Sequence, residues 1–147
     1  MGISAQERAE QSAAAMWAGD AASKWLGMAL EEIAPGLAVM SLTVEKHHTN
    51  GHNICHGGVI FSLADSAFAF ACNSHNTPSV AQHNTISFVA PGRLGDALTA
   101  TAREVSLVGR NGIYDVQVAR QDGTVIAEMR GCSRTIPGQH FEEGSGA

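Results

Sequence analysis

Hydrophobic and polar residues follow two rhythms along this chain, and the changes between them divide it into elements. AQERAEQSAAAMWAG is dominated by helix formers, is preceded by Ser4 with Glu7 three residues on, and ends at Gly19, which predicts a capped helix. Asp20 is placed to cap a short second helix ending near Leu26. ALEEIA and residues 37–46 (LAVMSLTVEK) read as two strands joined through Pro35-Gly36. In the second, Leu37, Val39, Ser41, Thr43 and Glu45 alternate with Ala38, Met40, Leu42 and Val44. The glycine-punctuated loop HHTNGHNICHGG follows, and then GGVIFSLADSAFAFACN, 17 residues with no proline and one formal charge. That run predicts a buried helix from Gly57 or Gly58 to about Asn73, roughly 24 Å long at 1.5 Å per residue. Beyond Pro78, residues 80–90, 97–108, 113–120 and 124–136 read as strands, separated by PGRLGD, a turn at 109–112 and Asp122-Gly123. The closing PGQHFEEGSGA is polar and glycine-rich and is expected to fray.

This order predicts an α+β domain in which a largely antiparallel sheet of about six strands wraps one long central helix. Residues 1–26 form a helical segment packed on the domain, 27–137 the domain itself, and 138–147 a flexible tail. A single sheet around one helix leaves a sheet face to be covered, either by the N-terminal helix or by a second copy. Composition points the same way: only 16% of the 147 residues are charged and 16 are glycine, against the roughly 25% charge of average globular chains. The net charge of -5 removes the basic footprint of a nucleic-acid binder or a polybasic membrane protein. With no run of 18 apolar residues and no basic-then-apolar start, neither a membrane span nor a secretory signal is expected. Gln6 stands where myristoylation after Gly2 wants serine or threonine. Cys55, Cys72 and Cys132 lack C-x-x-C spacing and read as free thiols. A cytoplasmic protein is expected.

Candidate chemistry concentrates in NGHNICHGGVIFSLAD, residues 50–65. His56-Gly57-Gly58 opens the long helix, where the first-turn N–H groups lack helical acceptors and suit developing negative charge. The same triplet is also compatible with a tight turn and nothing more. Asp65 falls in the stripe Phe61, Asp65, Phe68, Cys72, where a carboxylate is costly unless it is bonded or used. Burial there would raise its pKa towards that of a useful base. Asp65 lies eight residues past Gly57, about 12 Å along the axis, too far for both to reach one carbon. Two such helices, antiparallel across a two-fold axis, bring one helix start to the other's acid.

The remaining candidates are weaker. The seven histidines, His47 and His48 among them, form no H-E-x-x-H or Cys/His ligand set. Cys55 beside His56 is poorly spaced for a nucleophile–base pair. Ser62 and Ser66 lack the G-x-S-x-G elbow. Six arginines, Arg93, Arg103, Arg110, Arg120, Arg130 and Arg134, are scattered through the β-rich half, where two or three could receive ligand phosphates.

His56-Gly57-Gly58 with Asp65 nine residues after His56, the phrase NGHNICHGGVIFSLADSAFAFACNS, the turn SFVAPGRLGD and the last strands together resemble the hotdog-fold acyl-CoA thioesterases, in their phenylacetic-acid-degradation branch. The resemblance spans about Trp25 to Ile136 and departs at none of the signature positions. It implies a hotdog thioesterase domain, dimers sharing one continuous sheet, and pairs of dimers forming tetramers. It implies that the Gly57 N–H receives the thioester oxyanion and that Asp65 of the other subunit acts as general base or as nucleophile through an anhydride. It also implies that Asn50 positions water or thioester, that His56 supports the loop, and that Gly58 permits close approach. Phenylacetyl-CoA or a hydroxylated phenylacetyl-CoA is the implied substrate, with Arg93 and Arg110 as candidates for the coenzyme A phosphates. No separate cofactor and no metal are expected. A hotdog dehydratase or hydratase would act on acyl thioesters without releasing free thiol. A non-catalytic acyl-CoA-binding module would have little use for Asp65.

Overall fold

The computed structural model describes residues 2–144. Ser4 and Glu7 cap α1 (Ala5–Gly19) reciprocally: the Glu7 N–H donates to Ser4 Oγ at 3.1 Å and the Ser4 N–H to Glu7 Oε2 at 2.7 Å. Asp20 accepts from the Ser23 N–H to start α2 (Ala21–Leu26), and Gly27, at φ 85°, ends it. Ser23 Oγ meets Ser66 Oγ at 2.9 Å, which ties α2 to the central helix α3 (Gly57–Cys72).

Six strands form one antiparallel sheet: β1 (Ala29–Ala34), β2 (Leu37–Thr43), β3 (Ser79–Phe88), β4 (Ala97–Val108), β5 (Asn111–Ala119) and β6 (Val125–Thr135). Their order is β1-β2-β4-β5-β6-β3, so β1 and β3 are the edges. The alternation read from sequence sends Ala38, Met40 and Leu42 inward, joined by Leu98, Ala100 and Ala102 from β4 and by Tyr114, Val116 and Val118 from β5. Small residues on this face let α3 lie close. A Cβ on Gly131 would fall 2.8 Å from the Phe68 ring.

Boundaries shift at several ends, and β5 begins at Asn111, two residues before the expected 113. β2 stops at Thr43 rather than residue 46, because a 3-10 turn over Lys46–His48 takes over. β3 starts one residue early and stops at Phe88, where Val89 turns its N–H to the Ile126 carbonyl. The segment from 138, expected as a loose tail, carries polar contacts back to the body. Arg8 grips Glu143 through Nε and Nη2 at 2.6 and 2.9 Å, and Asn76 Oδ1 accepts from the His140 N–H at 2.9 Å. Positions 145–147 lie outside the described residues. Among the described residues no helix is long and apolar enough to cross a membrane.

Candidate active site

The loop before α3 is clamped on both sides. Its ends close on themselves through a Thr49–Cys55 bridge and an Asn50 N–H to Ile54 carbonyl bond of 2.9 Å. On one flank the Cys55 N–H donates to the Gly92 carbonyl at 2.7 Å and Ile54 bridges Arg93. On the other, the His56 N–H donates to the His48 carbonyl at 2.8 Å. His48 is itself fixed, its Nδ1 accepting from the Glu45 N–H and its Nε2 meeting the Leu26 carbonyl at 2.8 Å.

That clamp delivers His56 as the N-cap of α3. Its Nδ1 accepts from the Gly58 N–H at 2.8 Å, and its carbonyl accepts from the Val59 and Ile60 N–H groups at 2.9 and 3.2 Å. Because an amide N–H can only donate, Nδ1 is unprotonated in this arrangement. Of the four N–H groups opening the helix, three are therefore engaged. Gly57 alone has no protein acceptor among the described residues. A Cβ on Gly57 would stand 3.3 Å from the Phe88 ring, and one on Gly58 3.1 Å from His56 Nδ1. Gly58 thus contributes room for the cap, while its N–H is already spoken for.

Asp65 is half-buried on α3, and its Oδ1 accepts from Asn84 Nδ2 on β3 at 3.0 Å. Burial raises its pKa above the ordinary carboxylate value, and the Asn84 bond partly opposes the shift. Two turns on, the Cys72 thiol is pushed up to about 12 by burial and by the charge of Asp65. Asn84 escapes a reading of the sequence because its polar neighbours Gln82, His83 and Thr85 mark only an edge strand. Its inward phase, shared with Ile86, is the available signal. Asn84 Oδ1 is buried without a partner.

Other expected residues are placed less directly. Asn50 spends its Oδ1 on the His52 N–H at 2.9 Å, inside its own loop. Within one protomer, and among the described residues, no hydrogen bond joins Asp65 to Asn50, His56 or Gly57. Arg93 is exposed beside the clamped loop. Arg110 lies in the β4–β5 turn and donates to the Thr135 carbonyl through Nε and Nη2 at 3.3 and 2.9 Å. The Cys55 thiol, buried and pushed up to about 11, has the opposite character to an activated nucleophile. Glu45, His47 and His48 cluster closely enough to share an ion. Both ring nitrogens of His48 are nevertheless taken by the backbone, which leaves the cluster two ligands.

Comparison with known proteins identifies the family. Residues 52–127 match the family described as the thioesterase superfamily. Acyl-coenzyme A thioesterase PaaI of Escherichia coli is 44% identical over 131 residues, covering 89% of this chain and 94% of its own. The solved structure of the E. coli PaaI protein from the phenylacetic acid degradation operon superposes with a TM-score of 0.91 at 43% identity, over 92% of this chain and 99% of that one. A mutant of the phenylacetic acid degradation protein PaaI from Thermus thermophilus gives 0.75 at 34% identity, over 78% and 97%. Fold and sequence converge: the chain belongs to the thioesterase superfamily, as a PaaI-like member with the hotdog fold.

Proposed function

We propose that this thioesterase hydrolyses phenylacetyl-CoA or a hydroxylated phenylacetyl-CoA to the free acid and coenzyme A, at sites shared between two protomers. One observation carries the reading. Among the described residues Gly57 offers the one unengaged N–H at the start of α3, and the desolvated Asp65 sits on the same helix about 12 Å away. A second copy is needed to close that gap. The outer edge of β3 bonds to no strand among those described, and Val80, Phe88 and Val89 are about half exposed along it. Antiparallel pairing of two β3 edges makes one continuous sheet and reverses the second α3, which carries Asp65 to the partner's Gly57.

The chemistry follows from those two groups. The Asp65 carboxylate takes a proton from water as the water oxygen attacks the thioester carbon. The oxyanion that forms is met by the partner's Gly57 N–H in the field of the helix start. Collapse expels the coenzyme A sulfur, which recovers the proton. The raised pKa makes the Asp65 carboxylate more basic, which serves proton abstraction and direct attack alike. Asn84 holds one carboxylate oxygen and leaves the other for water. Asn50 and His56 act from the loop, His56 by keeping Gly58 engaged and Gly57 free. Arg93 beside the loop, and Arg110 brought back by the same reversal, supply positive charge for the phosphates. Local charge is needed because the chain as a whole carries -5.

The decisive measurement is thiol release from phenylacetyl-CoA by Asp65→Asn. The variant keeps its fold and its sheet and loses at least about 100-fold in kcat, the scale of one positioned acid–base group. A rate near that of wild type would remove Asp65 from the mechanism.

A further inference from the structure

Two contacts measure the spacing of the site along two different elements. Asn84 Nδ2 donates to Asp65 Oδ1 at 3.0 Å, and the Phe88 ring lies 3.3 Å from where a Gly57 Cβ would stand. β3 therefore runs antiparallel to α3, with Asn84 level with the acid and Phe88 level with the free N–H. The two spans agree. Eight helical residues rise about 12 Å, and four strand residues cover about 13 Å. Asn84, Ile86 and Phe88 share one strand phase, the one that faces the helix.

This spacing selects one way of joining two copies. Two β3 strands keep both helices on the same face of a continuous sheet only if residues of the same phase stand opposite each other. One such register brings Gly57 level with the partner's Asp65. It sets Phe88 opposite the partner's Asn84, and Ile86 opposite its own copy. A slip of two residues in either direction moves Gly57 about 7 Å away from that acid along the strand. The backbone is prepared for the pairing. The Val89 N–H donates to the Ile126 carbonyl of β6, so by alternation Asn84, Ile86 and Phe88 turn their N–H and carbonyl groups to the free edge.

We infer that β3 pairs with its copy with Ile86 on the two-fold axis, and that Phe88 thereby becomes a residue of the active site, its ring set between its own Gly57 and the partner's Asn84–Asp65 pair. The inference rests on the shared site proposed above and adds to it a register and a residue. Phe88 is 51% exposed in one protomer, and the pairing covers it. Because Gly57 has no side chain, the ring reaches the backbone beside the free N–H. There it keeps water from one side of that donor, and a bond to an oxyanion is stronger in a dry site than in a wet one. Phe88 acts through Gly57 as a positioning residue and exchanges no proton.

Cross-linking reads the register without any substrate. Thr85 and Ser87 are exposed on the opposite phase of β3. In the inferred register Thr85 faces the partner's Ser87 as a non-hydrogen-bonded pair, about 4.5 Å between Cα atoms, which is within disulfide reach. The variants carry Cys132→Ser, which removes the one thiol that is not buried. Thr85→Cys and Ser87→Cys chains, refolded together in equal amounts and oxidised, form covalent dimers in about half of the pairs, the share that assorts as mixed at random. Neither variant cross-links alone. Cross-linking of Thr85→Cys alone or of Ser87→Cys alone reveals a register slipped by two residues and overturns the inference, as does the absence of cross-links from every sample. Phe88→Ala is then assayed within the cross-linked dimer, where dissociation cannot intervene. Its kcat on phenylacetyl-CoA falls about tenfold with KM changed less than about threefold, and Phe88→Tyr restores most of the rate. An unchanged kcat overturns the role of Phe88, whatever KM does. Cross-links as described beside a wild type that releases no thiol overturn the thioesterase reading instead, and the register stands.

Discussion

At the scale of single residues, the acid and its support are unequally visible. Asp65 stands out as the one carboxylate in an apolar run, and His56-Gly57-Gly58 stands out by spacing, because both signals are local. Asn84 is tied to Asp65 only through the register of β3, which carries a bulge between Ala81 and His83 that no local pattern announces. Its effect is measurable. The Asn84 bond lowers the Asp65 pKa against the upward push of burial, so Asn84→Ala lets burial act alone. In the proposed mechanism activity needs ionised Asp65 and falls as pH drops through its pKa. The acid limb of the kcat profile therefore moves to higher pH in Asn84→Ala, and a limb unmoved or moved to lower pH would contradict the assignment. His56 carries a similar lesson. Its sequence position suggests a supporting role, and the bond to the Gly58 N–H shows what is supported: one helix-start donor is consumed so that its neighbour stays free.

Elements are legible wherever burial alternates and blurred wherever the chain turns. The inward set of β2, Ala38, Met40 and Leu42, follows from period two alone. The end of β2 does not, because Val44 keeps its bonds by switching to the β3–β4 turn: its N–H donates to the Asp96 carbonyl at 2.8 Å and its carbonyl accepts from the Gly95 N–H at 2.8 Å. Contacts of the tail are further out of reach, since Asn76 meets His140 and Phe141 across more than sixty residues of chain. The seat of α3 on the sheet depends on small residues whose need is invisible until the helix is in place. Gly131→Ala drives a Cβ to 2.8 Å from the Phe68 ring, itself 1% exposed and edge-on to Tyr114. Overpacking of this kind costs about 1–3 kcal/mol. A urea titration of Gly131→Ala should show that loss as a lower midpoint at unchanged slope. An unchanged midpoint would mean the ring has room to move.

At the scale of the whole molecule the proposal turns on a second copy. An exposed sheet edge, apolar residues along β3 and a helix that separates its donor from its acid all ask for a second copy. In the proposed arrangement Asp65→Asn and Gly57→Val each damage a different half of every site, so each variant alone is expected to be inactive. Unfolding and refolding them together forms mixed dimers in which one of the two sites is intact. Thiol release should recover to roughly a quarter of the wild-type rate per chain when the two are mixed equally and assort at random. No recovery would place both halves within one protomer. The spacing along α3 also fixes how activity answers to dosage. In the proposed arrangement each working site takes one Asp65 and one Gly57 from different chains. If the wild type is diluted with Asp65→Asn chains, output falls in proportion to the wild-type fraction, and the damaged copy is a bystander. If it is diluted with chains carrying both changes, output falls as the square of that fraction, and the damaged copy becomes a poison. A single helix thereby sets whether a mutant allele is silent or dominant.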